Sequence, residues 1–566
     1  MGGKVLRVRW LGRVPYEEAH VLQHALHARS SDEHLLLLEH PNVFTLGVRG
    51  DTSHMLVDPA TVGAQVVRAD RGGDVTYHGP GQLVAYVILD VPMGRGAVPE
   101  HVHSVEQVVI DTLAEFQLAA GRLPGYPGVW LGVETAVPRK ICAVGVRVTR
   151  GRSMHGLALN VDPDLRWFDR IVPCGIPDKA VTSMLAEGVR VSTREVVDTL
   201  VRHAQERWAR HGASERQDVV SFTPPDASQR DVVGASPQIA SVPGTKLRVR
   251  LRQAGVDPRE GLVLSARKPP WLRVGARMGR EFLGLQRTVK DLSLVTVCEE
   301  AGCPNIFECW AQGTATFMIN GERCTRACGF CLVDTRRPLP LDPREPQRVA
   351  EAVERLGLEH AVVTAVTRDD LADGGAAAFA ATVEAIRARC PGTAVEVLVP
   401  DCKGDRKAIS VITASRPDVF GHNLETVARL QRAIRPSAGY ARSLAVLALA
   451  KDAGLVTKSG MILGMGESEE EVIGALADLL AVGVDIVTLG QYLRPSEAHL
   501  PVARFLTPDE FDKLREIGEC MGFTYVQASP LTRSSYHARE AAGSSTDGAH
   551  CANPAQAHSA HVASVS

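Results

Sequence analysis

Residues 214–246 interrupt the chain with a segment that lacks hydrophobic periodicity and is rich in proline, serine, aspartate and glutamine. Such a composition buries too little apolar surface to offset the entropy of ordering the backbone, which predicts a flexible linker. The flanking stretches are periodic, and 566 residues are more than one hydrophobic core accommodates. The sequence therefore predicts two domains, 1–213 and 247–540, with a disordered tail at 541–566.

The two predicted domains differ in the order of their elements. Residues 1–213 mix short β-rich runs, such as 83–90, with amphipathic helices, such as 16–28, which predicts an α+β fold. In 247–540, strand-like runs such as 360–366 alternate with helical stretches. This alternation predicts an α/β domain whose parallel sheet is a closed or partial TIM-type barrel, with the active site at the C-terminal ends of the strands.

Charge and hydropathy exclude two classes of protein. The chain carries 63 basic and 65 acidic residues, a net charge of −2, and no run of lysine and arginine, so nucleic acid is not an expected partner. Every apolar run falls short of the ~18 residues that span a bilayer. Because the first residues also lack the apolar segment of a secretory signal, we expect a cytoplasmic enzyme without a membrane-spanning segment.

Half of the 12 cysteines lie between Cys298 and Cys331, which indicates metal binding rather than disulfides. Cys324, Cys328 and Cys331 are spaced Cys-x3-Cys-x2-Cys. Three thiolates leave one iron of a 4Fe-4S cluster with an open site, as a catalytic centre requires. A zinc-binding loop or a ferredoxin-like electron carrier is the alternative, and either would need a fourth ligand nearby.

A second triplet, Cys298, Cys303 and Cys309, lies just upstream with the spacing Cys-x4-Cys-x5-Cys. Together the two triplets and several further segments resemble the lipoyl synthase family of radical-SAM enzymes over about residues 267–538. The further segments are residues 268–272, 367–375, 422–426, 458–467, 490–493 and 533–538. The chain departs from the family pattern at Cys402 and Ala378, where an aromatic residue and a histidine are usual, which puts details of the substrate channel in doubt.

This resemblance implies two 4Fe-4S clusters and S-adenosylmethionine as cofactors. The first cysteine triplet binds S-adenosylmethionine through its cluster, and Gly374 and Gly375 admit the amino group of that cofactor. The second triplet, together with Ser535, holds an auxiliary cluster that is the sulfur source. The implied reaction forms a 5′-deoxyadenosyl radical, removes hydrogen from C6 and C8 of a protein-bound octanoyl chain and adds sulfur at both carbons. Without the family, Ser535 is a surface serine and the two glycines are an ordinary turn.

In the first domain, a glycine-rich segment at 71–83 is followed by residues 139–147, 155–160 and 171–184, whose motifs in this order resemble lipoyl(octanoyl) transferases. The resemblance implies a fold similar to that of biotin and lipoate protein ligases. By position, Cys174 is the acyl-thioester nucleophile and Lys140 its partner. The implied acyl-tunnel walls are Arg71, Gly72, Gly73, Asp74, Val75, Thr76, Tyr77, His78, Ala143, Val144, Gly145, Gly156, Leu157 and Ala158.

Several alternatives remain for the first domain. Taken alone, Cys174 is a small buried apolar residue and His78 a hydrogen-bonded structural histidine. An ATP-dependent lipoate or biotin ligase shares this fold and a similar glycine loop, but it needs no cysteine nucleophile. A further possibility is that one half of the chain is an inactive docking module for carrier or lipoyl domains.

The two resemblances imply successive reactions on one lysine side chain. Octanoyl-acyl carrier protein is the implied acyl donor. The implied acceptors are the lipoyl domains of 2-oxoacid dehydrogenase complexes and the H protein of glycine cleavage. A low-potential electron donor such as ferredoxin or flavodoxin is the third implied partner, because the second reaction begins with a reduction.

Overall fold

The structure is a computed structural model, and it describes residues 4–175, 179–209, 212–219, 244–273, 280–296, 305–306, 309 and 314–535. The chain forms two compact units that divide near residue 222. Within the described residues, no helix combines the length and the apolar character needed to cross a membrane.

The first unit is an α+β fold built on a mixed sheet. Its strands are β1 (Leu6–Arg13), β2 (Glu33–Glu39), β3 (Val43–Leu46), β4 (Gln65–Arg68), β5 (Val75–His78), β6 (Gln82–Ile88), β7 (Ala120–Leu123), β8 (Tyr126–Leu131), β9 (Arg139–Thr149), β10 (Arg152–Asn160), β11 (Ala180–Val181) and β12 (Ser214–Arg216). Its helices are α1 (Tyr16–Arg29), α2 (Ala97–Glu115) and α3 (Thr193–Trp208). The large sheet has the order β12-β1-β2-β6-β10-β9-β8-β7, with β11 beside β9, and a small sheet has the order β4-β3-β5.

Alternation along the strands divides the large sheet into two faces. Leu35 and Leu37 of β2 join the main core, to which α2 and α3 contribute residues such as Val105 and Leu200. Helix α1 packs on β6 and β10 instead. A capping box fixes the start of α3: the Ser192 hydroxyl accepts the Glu195 N–H, and the Glu195 carboxylate accepts the Ser192 N–H.

Both ends of the predicted linker belong to regular structure. Ser214–Arg216 forms β12, which pairs in parallel with β1, and α4 already begins at Gly244. Glu215 holds the edge strand by accepting hydrogen bonds from Arg7 at 3.0 Å and Arg9 at 2.9 Å. A three-residue strand held by ion pairs leaves no hydrophobic period in the sequence. For this reason the composition of the segment assigned β12 to the linker.

The second unit alternates strands and helices. Its strands are β13 (Val295–Thr296), β14 (Thr314–Ile319), β15 (His360–Ala365), β16 (Ala394–Leu398), β17 (Val419–Gly421), β18 (Val456–Leu463), β19 (Ile486–Gln491) and β20 (Tyr525–Ala528). Its helices are α4 (Gly244–Gln253), α5 (Arg280–Asp291), α6 (Glu345–Leu356), α7 (Ala376–Arg389), α8 (Arg406–Ala414), α9 (Ala428–Ile434), α10 (Tyr440–Asp452), α11 (Glu469–Ala481) and α12 (Pro508–Met521). The sheet order runs from β13 to β20 without a crossover, and every pair from β14 onward is parallel.

This sheet confirms the prediction of a partial barrel. Among the described residues no pairing joins β13 to β20, so the barrel stays open there. Apolar residues of β14–β16 pack against α6, α7 and α8 and fill the layer between strands and helices. The C-terminal ends of the parallel strands therefore meet at one rim, where this architecture places its active site.

A buried ion pair crosses the interior of the barrel. Lys458 Nζ on β18 lies 3.0 and 3.1 Å from the carboxylate oxygens of Glu396 on β16, and both side chains are at most 3% exposed. Burial raises the pKa of Glu396, but Lys458 and His360 outweigh it, so the net pKa is lower than usual. The Glu396 carboxylate is consequently charged at neutral pH.

Breaking this pair is expected to destabilise the second unit strongly. Lys458→Met leaves the Glu396 charge buried and unpaired, which costs about 3–5 kcal/mol and lowers the calorimetric unfolding midpoint. The control carries Glu396→Leu as well, so that neither charge is buried, and most of the stability should return. Equal losses in the single and double variants would contradict this reading. Because the folded-state pKa of Glu396 is depressed, the stability from the pair is present at neutral pH and lost as pH falls through that pKa.

Candidate active sites

A cleft in the first unit lies over β9 and β10, where glycines leave the sheet bare. Gly145 and Gly156 are paired across the two strands. A Cβ added to Gly145 would lie 2.9 Å from the Gly72 carbonyl oxygen, and one added to Gly156 would lie 2.2 Å from the Ala85 carbonyl oxygen. Both positions therefore require glycine. The cleft holds about 510 Å³ including its open mouth. Its lining comprises Tyr16, Arg71, Gly72, Gly73, Asp74, Thr76, His78, Val84, Tyr86, Ala143, Val144, Gly145, His155, Gly156, Leu157, Ala158 and Cys174.

The loop that starts at Arg71 forms one wall and is held by its backbone. Val48 N–H donates to the Arg71 carbonyl at 3.0 Å, and Gly72 N–H donates to Val146 at 3.2 Å. The buried Arg71 guanidinium donates to the carbonyl and the hydroxyl of Thr45, both at 2.7 Å. Burial lowers the pKa of Arg71, whereas Tyr16 and the Cys174 thiol act in the opposite direction. The loop therefore holds a fixed cation in the wall of the cleft.

Cys174 occupies a strained turn at the edge of the cleft. It lies in the single turn Pro173–Gly175 with φ of 57°, in the left-handed region that side chains other than glycine rarely adopt. Its side chain is half-buried and lines the cleft. A non-glycine residue in a sparse backbone region needs support from its surroundings, and such strain is common at functional sites.

A histidine and a carboxylate support this turn. His54 Nδ1 lies 2.5 Å from Asp74 Oδ2, and the His54 carbonyl accepts the Val172 N–H at 2.8 Å. A Cβ on Gly175 would lie 2.6 Å from the same Asp74 oxygen. No sequence signal pointed to His54, because it precedes Asp74 by twenty residues and belongs to an irregular segment.

Two predicted wall residues face the other way. β5 alternates, so Thr76 and His78 line the cleft, whereas Val75 and Tyr77 pack into a separate core beside Phe44. The prediction that the whole run from 71 to 78 lines the tunnel is thus wrong at these two positions, because a strand offers only every second side chain to one face. The same alternation on β6 brings in lining residues that the prediction lacked, Val84 and Tyr86. Tyr16 and His155 also line the cleft and were not predicted.

Lys140 does not line the cleft. Its side chain is buried, and Nζ lies 4.7 Å from the centroid of the Trp130 ring, a cation–π contact. No carboxylate among the described residues forms an ion pair with it. Two positions along β9, Cys142 is fully buried, and this burial raises its pKa to about 12. Cys142 is therefore a core residue, whereas the amino group of Lys140 packs on the Trp130 ring in the wall of the unit.

His78, which lines the cleft, and His40, whose ring lies beside it, are both neutral. His78 Nδ1 lies 2.7 Å from Gln82 Oε1 and its Nε2 lies 3.3 Å from the Thr45 hydroxyl. Burial lowers the pKa of His78 well below its usual range and that of His40 to about 4. His40 donates from Nδ1 to the Val14 carbonyl at 2.7 Å, so its Nε2 accepts from the Tyr86 hydroxyl at 2.8 Å. The alternative of a satisfied structural histidine therefore fits His78.

In the second unit, the first cysteine triplet follows β14 at the rim of the barrel. Backbone hydrogen bonds hold its loop: Cys324 N–H donates to Asp334 at 2.8 Å, and the Cys331 carbonyl lies 2.9 Å from His499 Nε2. Burial raises the pKa of Cys328, and raises that of Cys331 to about 12. Buried thiols stay neutral unless a metal ion stabilises the thiolates, so the triplet fits a metal cluster better than free cysteines.

Arg326 locks the same loop onto two strand ends. Its guanidinium bonds Asp369, which follows β15, at 2.7 and 2.9 Å. It also bonds Asp401, which follows β16, at 2.7 and 2.9 Å. Both bidentate pairs raise the pKa of Arg326 in spite of its burial. The triplet is therefore clamped to the rim by charged pairs rather than carried on a free loop.

Gly374 and Gly375 lie beside the end of β14, and both have positive φ, 63° and 89°. A Cβ on Gly375 would lie 2.3 Å from Asn320 Nδ2, so the backbone approaches this side chain as closely as glycine allows. Asn320 Nδ2 donates to the Gly375 carbonyl at 3.3 Å, and its buried Oδ1 has no hydrogen-bond partner in the described part of the chain. An unpaired buried acceptor beside two glycines suits a ligand that brings N–H groups.

Half of the predicted auxiliary cluster site can be described. Cys298 and Cys303 lie outside the described residues, whereas Cys309 is buried and Ser535 is half-buried. The Asn305 amide, within the second triplet, donates to the Leu531 carbonyl at 2.6 Å. This hydrogen bond joins the segment of the second triplet to the segment that carries Ser535, although 226 positions separate the two partners.

Comparison with known proteins separates the two units. A family model described as the lipoyl protein ligase A/B catalytic domain matches residues 15–205, and one described as the radical SAM superfamily matches 318–479. The lipoyl synthase of Rubrobacter xylanophilus is 57% identical over 275 residues, which are 48% of this chain and 86% of that protein. The lipoyl synthase of Beutenbergia cavernae is 53% identical over 283 residues, 50% of this chain and 85% of that protein.

Among solved structures, the match to the bipartite lipoate protein ligase of Thermoplasma acidophilum covers 38% of this chain and 88% of the ligase chain. Its sequence identity is 17% and its TM-score is 0.33.

Proposed function

Through its second unit the chain belongs to the lipoyl synthase family, and we propose that the whole chain builds lipoyl groups in two successive reactions. In the first, an octanoyl group passes from octanoyl-acyl carrier protein through Cys174 to a lysine of a lipoyl domain. In the second, sulfur is added at C6 and C8 of that octanoyl group. The observation that carries the first reaction is the thiol of Cys174 at the edge of a glycine-walled cleft.

Cys174 acts as nucleophile in the proposed transfer. Its thiolate attacks the thioester carbonyl, the acyl carrier thiolate leaves and takes a proton, and the octanoyl group becomes a thioester of Cys174. Val144, Leu157 and Ala158 are apolar lining residues of the cleft, and the hydrocarbon chain packs against them in the proposed complex. The guanidinium of Arg71 lines the same cleft as the thiol of Cys174.

Lys140 is the proposed proton acceptor for amide formation. When the incoming lysine amine attacks the thioester, a proton must leave nitrogen as the Cys174 thiolate is expelled. Lys140 is buried against Trp130 and has no described carboxylate partner, so deprotonation does not strand an opposing charge. Movement of Nζ away from the Trp130 ring is part of this proposal.

In the second unit, Cys324, Cys328 and Cys331 hold the proposed first cluster, and Asn320 with Gly374 and Gly375 receives the amino group of S-adenosylmethionine. Cys298, Cys303, Cys309 and Ser535 hold the proposed auxiliary cluster. When bound, these groups supply the one-electron reduction, the radical and the sulfur that no side chain provides. The chain orients them: Arg326 fixes the first triplet, and the bond from Asn305 to Leu531 brings the ends of the second site together. A low-potential ferredoxin or flavodoxin is the proposed reductant.

One experiment tests both reactions. The anaerobic protein, reconstituted with iron and sulfide, receives octanoyl-acyl carrier protein, an apo lipoyl domain, S-adenosylmethionine and a reductant, without ATP. Mass spectrometry of the lipoyl domain is expected to show the octanoyl adduct first and the dithiolane product later. An unmodified domain that gains the adduct only when ATP and free octanoate are supplied would identify the first unit as a ligase. A domain that stops at the octanoyl adduct with intact clusters would mark the second unit as inactive.

A further inference from the structure

Three side chains of the first unit converge on one point outside the cleft. His20 and His24 lie one turn apart on the same face of α1, and Asp70 directly precedes the loop of the cleft. The two ring Nε2 atoms are 3.2 Å apart. Asp70 Oδ1 lies 3.3 Å from His20 Nε2 and 3.4 Å from His24 Nε2. Each side chain is partly exposed, between 23% and 39%, so the point is reachable from solvent.

These spacings match metal coordination better than hydrogen bonding. Hydrogen bonds between nitrogen and oxygen have their mode at about 2.9–3.0 Å, shorter than all three separations. Around a tetrahedral Zn²⁺ with bonds of about 2.0–2.1 Å, neighbouring ligand atoms are roughly 3.3–3.4 Å apart. A point close to the plane of the three atoms is about 1.9–2.1 Å from each, which is the length of a zinc bond to nitrogen or carboxylate oxygen.

The surroundings orient the three donors as ligands. Gln23 Oε1 accepts the backbone N–H of His155 at 3.0 Å. The Gln23 amide nitrogen is therefore free to donate to His155 Nδ1. The proton of His155 is then on Nε2, which donates to Asp70 Oδ1 at 2.8 Å. A metal-binding carboxylate with such an outer hydrogen bond is a common arrangement. Arg147 is paired with Asp70 Oδ2, which also lies 3.3 Å from His24 Nε2, whereas Oδ1 lies within 3.4 Å of both histidines. The Arg147 side chain is 43% exposed and can turn to solvent when a cation binds.

We propose that His20, His24 and Asp70 bind a Zn²⁺ ion, with water as the fourth ligand. Two neutral imidazoles and one carboxylate with an open position form a donor set that suits Zn²⁺. The ion fastens α1 to the start of the loop at Arg71. Since His155 both lines the cleft and bonds to Asp70, the site forms part of the cleft's outer support.

Zinc binding to the full chain tests the proposal. The chain is first reconstituted with iron and sulfide, so that the cluster cysteines are occupied, and is then titrated with zinc under anaerobic conditions. We expect one zinc per chain, with only nitrogen and oxygen neighbours at about 2.0–2.1 Å by X-ray absorption, whereas zinc on cysteine would show sulfur at about 2.3 Å. His20→Ala and His24→Ala should each weaken binding at least ~100-fold, since even outer partners of metal ligands contribute about 10–100-fold.

His103→Ala, which removes an exposed histidine of α2 far along the sequence from the cluster, is the matched control and should bind zinc like the parent chain. The proposal is overturned if the parent shows only sulfur-bound zinc or binds none at micromolar concentration. It is equally overturned if His20→Ala and His24→Ala bind as tightly as the control. The parent's own spectrum decides the question even if a variant folds poorly, and none of these readouts depends on acyl transfer.

Discussion

Cys174→Ala is expected to lower the rate of octanoyl transfer by roughly 10⁴–10⁶-fold, the loss typical when a covalent nucleophile is removed. The physical reason is that the two histidines among the described lining residues, His78 and His155, have both ring nitrogens engaged in hydrogen bonds and so offer no second nucleophile. The measurement is the initial rate of octanoylation of a lipoyl domain, with mass spectrometry of the enzyme after exposure to octanoyl-acyl carrier protein alone. The parent should carry one octanoyl group on Cys174 and the variant none.

The matched control is Cys142→Ala in the same unit. Cys142 is fully buried in the core and its pKa is raised to about 12, so its thiol is not a nucleophile at neutral pH. The substitution should cost about 1 kcal/mol of stability and leave the transfer rate nearly unchanged. A Cys174→Ala chain that still transfers at a parental rate would rule out the acyl-enzyme and favour direct attack by the lysine amine.

Local patterns carried most of what the sequence predicted correctly. The alternation of strands with helices led directly to the parallel sheet, because each βα unit is signalled within about 30 residues. The spacing of Cys324, Cys328 and Cys331 identified a loop that the structure places at the strand ends. Gly145 and Gly156 were assigned to the wall, and the space that a Cβ would need explains why they are glycines.

Features that depend on partners distant in sequence were missed. The strand β12 depends on ion pairs of Glu215 with residues more than 200 positions away. Likewise, His20 and His24 meet Asp70 only after α1 has packed on the sheet, a contact that no local window contains.

Orientation along a strand was the other source of error. The run from Arg71 to His78 was assigned to the tunnel as a block, although β5 makes only Thr76 and His78 face the cleft. Lys140 shows the same limit, since its motif marked it as the partner of Cys174 but gave no indication of its contact with the Trp130 ring. A sequence motif fixes which residues are near a site, whereas the register of the sheet decides which of them reach it.

Cys328→Ala is expected to abolish sulfur insertion while octanoyl transfer continues at the parental rate. Removing one of three thiolates should prevent assembly of the proposed first cluster and lower the iron content of the reconstituted chain by about half. Since an unactivated C–H bond offers no alternative acid–base route, no slow residual reaction is expected. The lipoyl domain would accumulate as its octanoyl form, which mass spectrometry distinguishes from the dithiolane.

Cys390→Ala, at the end of α7 and outside both triplets, is the control and should retain full iron content and product. Dithiolane formation by Cys328→Ala at the control's rate would show that the triplet does not hold the catalytic cluster, and transfer lost together with insertion would show that the two units do not act independently.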